Sequence, residues 1–189
     1  MTLATEKHKL TPEQFLDLPD AVSYELVDGE LVERKMGSES SVIAMIIGTI
    51  LTNFIRGKRI GYVGGADCSY QCFPDAPTKV RKPDVSFIRA GRLPDDKPPK
   101  GHTKIAPDLA VEVLSPGDLA SEIERKVLEY LSAGVRVVWV VNPELRTVTI
   151  HRAPATPRGR MNTLTDAENI SGEDVLPGFE CPVAEFFRI

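Results

Sequence analysis

The chain has 189 residues, 42% apolar and 26% charged, with a net charge of −4; this is the globular range, long enough for one ample core and short of two ordinary domains, so one domain over residues 1–189 is expected. No uninterrupted apolar run reaches the ~18 residues of a membrane span, and the N-terminus lacks a basic-then-apolar export signal, so neither a membrane nor an exported protein is expected. Three cysteines, an odd number, argue against a disulfide framework and fit a reducing cytoplasm.

Taken in order, Met1–Lys9 is polar and expected to fray. Thr11 or Asp17 can cap a short helix over Pro12–Leu18, with Pro12 in its first turn. In Ser23–Arg34, Asp28-Gly29 between two β-rich runs predicts a tight hairpin, with Glu25 on its first strand. Ser38–Lys58 predicts a long helix with its N-cap near Ser38 and its stop at Gly57. Its apolar residues, Val42 to Ile55, surround most of the circumference, so burial on most sides is expected. Gly61–Phe73 and Val80–Ile88 read as strands joined by a turn around Pro74–Pro77, with Asp84 the acid inside the second run. Asp67 reads as a turn residue. Cys68 and Cys72 have no second pair to complete a zinc site and read as packing residues. The Pro- and Lys-rich stretch from Arg89 to Lys104 reads as a loop.

Leu109–Leu114 reads as a buried strand that stops at Ser115-Pro116-Gly117. A helix follows with the apolar stripe Leu119, Ile123, Val127, Tyr130 and Leu131, and Gly134 supplies its stop. Val135–Val141 is a second near-continuous apolar strand, so strand–helix–strand implies a parallel crossover. Thr147–Arg152 returns as a hairpin, Ala153–Arg160 is a loop, Met161–Thr165 adds an edge strand, and Val175–Phe187 closes the fold. The expected class is α+β, with a mixed central sheet flanked by helices and an N-terminal β-hairpin.

Glu112 interrupts the apolar strand, and a carboxylate there is costly unless a cation or donors compensate it. At ~100° per residue, Lys126 lies within about 20° of Leu119, at the edge of the inward stripe. Asp84, Glu112 and Lys126 can therefore share a point in space. Two carboxylates that close repel unless a divalent cation lies between them. The bland alternative is a buried Lys126–Glu112 ion pair without metal. Glu122, one turn before Lys126, either pairs with the lysine or stays on the surface. Tyr130 either touches the site through its hydroxyl or packs in the core. Lys79–Lys104 holds eight Lys/Arg against three Asp/Glu, leaving −9 on the remainder. Lys79, Arg81 and Lys82 are thus candidates for contacts to DNA phosphates, against the alternative of a solvated loop. No nucleophile elbow or phosphate-cradling glycine loop is present. The histidines, His8, His102 and His151, have no partners at ligand spacing.

The pair Pro83-Asp84, with an acid on the following strand, resembles the PD-(D/E)XK nuclease superfamily. The ordered set resembles one branch, the Uma-two family of bacterial restriction-type endonucleases. That set is Tyr24–Val32 (YELVDGELV), Lys82–Phe87 (KPDVSF), Val111–Pro116 (VEVLSP), Lys126-x-x-x-Tyr130, and Gly134-Val135 before Trp139. The resemblance covers about Leu10 to Phe187. It implies a restriction-endonuclease-like core and a metal-dependent endonuclease acting on DNA. Asp84 and Glu112 would hold magnesium (or manganese), with the carbonyl of Val113 as a further ligand. Lys126 would be catalytic and Glu25 an accessory acid; the alternative for Glu25 is an edge-strand charge facing water. The superfamily's lysine stands two residues after the second acid, where this chain has Leu114, so Lys126 takes that part in this reading. Many relatives carry a histidine near Ser40, which is absent here. Two other function classes stay open: a catalytically weak or inactive nuclease-fold protein that binds nucleic acid or a protein partner, and a metal-dependent hydrolase of another phosphoester. Oligomeric state is open, a homodimer among the options.

Overall fold

The structure, a computed structural model, describes residues 9–35, 37–153 and 160–189. The expected fraying N-terminus and the loop at Ala153–Arg160 therefore lie outside the described residues, except Lys9, Ala153 and Arg160.

Leu109–Val113 forms β5, a strand buried along its whole length. Such continuous burial requires partners on both edges and cover on both faces. The edges are taken by β4 (Val85–Arg89), antiparallel, and β6 (Val137–Asn142), parallel. The mixed sheet continues outward to β3 (Gly61–Gly65) on one side. On the other side lie β7 (Thr147–Arg152) and β8 (Arg160–Thr165), giving the order β3-β4-β5-β6-β7-β8. Alternation along β5 divides the core. Leu109, Val111 and Val113 pack with Ile43, Ile47 and Leu51 and with the C-terminal residues Phe179, Val183 and Phe186. Ala110 packs on the opposite face with Val127, Tyr130, Phe73 and Val138.

The two helices that cover these faces are α2 (Ser38–Ile55) and α3 (Ala120–Ser132). The short first helix, α1 (Pro12–Leu16), has Thr11 as its N-cap, and Asp17 falls at its C-cap. The long helix α2 spans Ser38–Ile55 and starts from Gly37, whose N–H donates to Ser40 Oγ at 3.0 Å. Its expected burial on most sides is corrected: Ile43, Ala44, Ile47 and Leu51 are buried, whereas Met45 is 71% exposed. By length and composition alone α2 could cross a membrane, yet its buried face packs on the sheet, which accounts for that face as core. The crossover helix α3 spans Ala120–Ser132. Leu119, read from the sequence as part of its inward stripe, is instead its exposed N-cap. The helix ends in a Schellman motif. Val135 N–H donates to Tyr130 O at 3.0 Å, and Gly134 N–H to Leu131 O at 3.1 Å, with Gly134 at φ +98°.

The N-terminal hairpin pairs β1 (Tyr24–Val27) with β2 (Glu30–Glu33). Asp28 (φ 53°) and Gly29 (φ 80°) are both left-handed, the geometry of a type I′ turn. Leu26 and Val80 exchange backbone hydrogen bonds of 3.0 and 2.8 Å, docking the hairpin beside the segment that leads into β4.

The expected long strands, Gly61–Phe73 and Val80–Ile88, are shorter. β3 stops at Gly65, where Cys68 N–H donates back to Gly65 O at 2.9 Å in a turn that carries Asp67. Arg81 then pairs with Tyr70 rather than with the sheet. Pro83 has no N–H for a ladder, so β4 starts at Val85 and Asp84 stands just before it. His102, stacked on Phe15, bonds Ser69 Oγ and the Pro12 carbonyl, a structural role.

A Cβ at residue 134 would meet no atom within 4 Å, so any cost of adding one comes from the left-handed backbone alone. Gly134→Ala is expected to lower stability by about 1 kcal/mol through that strain. Chemical denaturation checks it, and no loss would remove Gly134 as the reason α3 stops there.

Candidate active site

The antiparallel register that sets Val85 opposite Val111 carries Asp84 to a position opposite Glu112. Glu112 is 5% exposed and accepts two hydrogen bonds from α3. Tyr130 Oη donates to Oε1 at 2.7 Å and Lys126 Nζ to Oε2 at 3.2 Å. The two donors are four residues apart, hence one above the other on a single helix face. Lys126 Nζ also lies 3.3 Å from Glu25 Oε2. Asp84 is held differently. Its Oδ2 accepts from the Val113 N–H at 2.8 Å, and its Oδ1 from Arg34 Nη2 at 3.0 Å. The contact Val113 makes with Asp84 is thus through its N–H.

Glu25 is 1% exposed, which excludes an edge-strand charge facing water. The Leu26–Val80 exchange brings it beside the next segment. There its Oε1 accepts from the Lys82 N–H at 2.9 Å and its Oε2 from Arg81 Nη1 at 2.8 Å. Arg81 in turn clasps Glu129 Oε2 with Nε and Nη2, at 2.9 and 2.7 Å, and Lys79 Nζ lies 2.6 Å from Glu129 Oε1. This corrects the expectation that Lys79, Arg81 and Lys82 are free to meet phosphates. They are 8%, 3% and 4% exposed, with Lys82 Nζ donating to the Ala21 carbonyl. Of the two roles left open for Glu122, pairing with Lys126 is not observed: Glu122 pairs with Lys35 at 3.4 Å near the surface.

Glu25, Arg34, Arg81, Asp84, Glu112 and Lys126 line one cavity of ≈ 100 Å³. Exposed Lys35 and Arg125 stand at its rim. Sequence reasoning missed Arg34, Lys35, Arg125 and Glu129. For Glu129 a weak signal existed, since it follows Lys126 by three residues. Arg34 carried none, because its approach to Asp84 depends on how the hairpin docks. Ser40 is buried, and its Oγ lies 2.7 Å from Ser115 Oγ, tying the start of α2 to the end of the β5 segment.

The electrostatics follow from three buried carboxylates sharing this space. Burial pushes Glu112 up to about 7; Lys126 opposes the rise, and Asp84 and Glu25 add to it. Burial raises Asp84 too, against the Val113 N–H and the Arg34 charge. Glu25, although buried, is held below its usual range because Lys126 and Arg81 outweigh desolvation. Lys126 is buried as well, yet Glu112 and Glu25 keep it protonated.

The donor set suits a hard divalent ion. Asp84 and Glu112 offer carboxylate oxygens to one polar cavity, and their mutual repulsion is what such an ion relieves. Among the described residues no group of three or more His, Cys, Asp or Glu is gathered as a metal cluster. Two carboxylates leave the other positions to water, substrate and backbone oxygen, which fits an ion that retains its waters, as magnesium does.

Residues 12–184 match the family model Uma2, described as "Putative restriction endonuclease". The chain belongs to this family. The fold agrees, as the chain is similar to the crystal structure of a putative nuclease belonging to DUF820 from Anabaena variabilis ATCC 29413. The TM-score is 0.76 at 20% identity, covering 94% of this chain and 97% of that one. No curated protein matches.

A carboxyl group whose pKa rises on folding favours the protonated folded state, so its contribution to stability is present at low pH and is lost as pH climbs toward 7. The stability of the wild type relative to Glu112→Gln is therefore expected to fall between pH 5 and pH 8. Thermal melts of both proteins across that range check it. A constant difference would mean that Glu112 does not titrate there.

Proposed function

We propose that this Uma2-family chain is a metal-dependent endonuclease that hydrolyses DNA phosphodiester bonds at the Asp84–Glu112–Lys126 cavity. One observation carries the reading. Lys126 Nζ stands 3.2 Å from Glu112 and 3.3 Å from Glu25, while Leu114 occupies the place of the superfamily's lysine. A lysine arriving from the covering helix meets the second acid as a strand lysine would.

In this reading Asp84 and Glu112 would hold magnesium or manganese, with the Val113 carbonyl as a further oxygen. The bound ion supplies a water of lowered pKa and neutralises charge at the phosphate. Tyr130 fixes the Glu112 carboxylate, and the Val113 N–H fixes that of Asp84. Glu25, itself held by the Glu129-anchored Arg81, holds Lys126 in position. The Lys126 ammonium orients the attacking water and balances negative charge as it develops. The DNA backbone approaches the rim at Lys35 and Arg125, whose exposure suits phosphate contacts better than the buried Lys79, Arg81 and Lys82.

A plasmid-nicking assay with magnesium or manganese tests the reaction. Asp84→Ala is expected to abolish cleavage. Lys126→Met is expected to slow it by roughly a hundredfold or more, the scale of a lost charge-stabilising donor, with the fold intact. Wild-type cleavage by Lys126→Met would reduce Lys126 to a counter-charge.

Phosphate binding at the rim has its own test. Arg125→Glu is expected to weaken DNA binding and reduce the log–log salt slope by about 1. Filter binding across a salt series measures both, and unchanged affinity and slope would remove Arg125 from the interface.

A further inference from the structure

Each of the three buried carboxylates, Glu25, Asp84 and Glu112, already has a protein cation, and the three cations are not held equally. Arg81 is clasped between Glu25 and Glu129, and Lys126 bridges Glu25 and Glu112. Arg34 pairs with one carboxylate, that of Asp84. Its other contacts are backbone carbonyls, from Nη1 to Ala66 O at 3.0 Å and to Val22 O at 3.5 Å. It follows directly on β2, whose residues are exposed throughout. Of the three cations it is the one held by a single carboxylate, so its release breaks one ion pair where release of either of the others breaks two.

The two oxygens of Asp84 are also unequal. Oδ2 is tied to the Val113 N–H, beside the sheet, and Oδ1 carries Arg34. Oδ1 is thus the Asp84 oxygen not tied to the sheet backbone, and the one for which a divalent ion would compete with Arg34. A guanidinium and a divalent ion on that oxygen repel one another at close range.

We propose that Arg34 is an exchangeable resident counter-ion of this site: its guanidinium closes Asp84 Oδ1 in the metal-free protein, and a divalent ion binds by displacing it. The proposal rests on the metal reading above. Arg34 thus acts as a brake on metal affinity, because the binding-competent state is the fraction in which Arg34 has left Asp84.

Isothermal titration with Mn²⁺ and with Mg²⁺ tests it, using the full chain. Arg34→Gln is expected to bind either ion roughly tenfold more tightly than wild type, the fraction-competent penalty having been removed. Arg34→Lys, which keeps the charge, is expected to stay near wild type. In an Asp84→Asn background, Arg34→Gln should give no gain. If wild type binds metal and folded Arg34→Gln binds it equally or more weakly, the proposal is overturned and the metal reading stands. If neither protein binds metal, both fall together. The clamp on Ala66 and Val22 could make Arg34→Gln unstable, so a second measurement uses wild type alone. The side-chain N–H resonances of Arg34 in NMR are expected to shift as Mg²⁺ is added, and unchanged resonances at saturating Mg²⁺ overturn the exchange.

Discussion

The constraint on which the site depends is the burial of three carboxylates, Glu25, Asp84 and Glu112, against one end of a sheet. Buried charge without compensation is prohibitive, so each must meet a cation or strong donors. Lys126 meets two of them at once. To place that ammonium, α3 must cross directly over β5, and the crossover is fixed by the parallel β5–β6 pair and by the stop at Gly134. To place Glu25, the hairpin must dock through Leu26 and Val80. The electrostatics of the site thus tie together segments from the first quarter of the chain to its last third.

A buried ion pair is weak evidence of stabilisation, since apolar replacements are often neutral or better. The arrangement here goes beyond what a single pair needs. Arg81 is itself anchored by Glu129, and Glu129 by Lys79, so the charges behind Lys126 form a chain of paired groups. Glu112 nonetheless remains raised to about 7, which means the protein's cations leave its desolvation incompletely offset. Its place opposite Asp84, lining a polar cavity, suits the divalent ion of the proposed function.

Much of the fold was legible because it rests on local signals: the Asp28-Gly29 turn, the apolar run of β5, the helix after Pro116 and the Gly134 stop. Asp84, Glu112 and Lys126 were legible as a group because helix periodicity and strand adjacency converge on them, whereas Tyr130 was read as either a site contact or a core residue. The failures share a cause. Lys79, Arg81 and Lys82 look like a basic patch in one dimension, but Pro83 breaks the ladder and Arg81 pairs with Tyr70, turning these side chains into the interior. The circumferential apolarity of α2 overstated its burial, because a run of Ile and Met does not say which side meets the sheet. Arg34 was invisible because its contact with Asp84 spans fifty positions, and docking rather than sequence periodicity creates it.

The position of the lysine follows from the same geometry. Residues 112 and 114 lie two apart, so they share a face, and Leu114 packs with Ala110, Val127 and Tyr130 beneath α3. A lysine on that face can come from the strand or from the helix that covers it. Here the strand position is apolar and contributes to the packing under α3, and the helix supplies the ammonium. Tyr130, one turn farther along, completes the arrangement by taking the other oxygen of Glu112. The spacing Lys126-x-x-x-Tyr130 is then a physical requirement, because two donors on one helix face can each reach one oxygen of a single carboxylate only at a separation of about one turn.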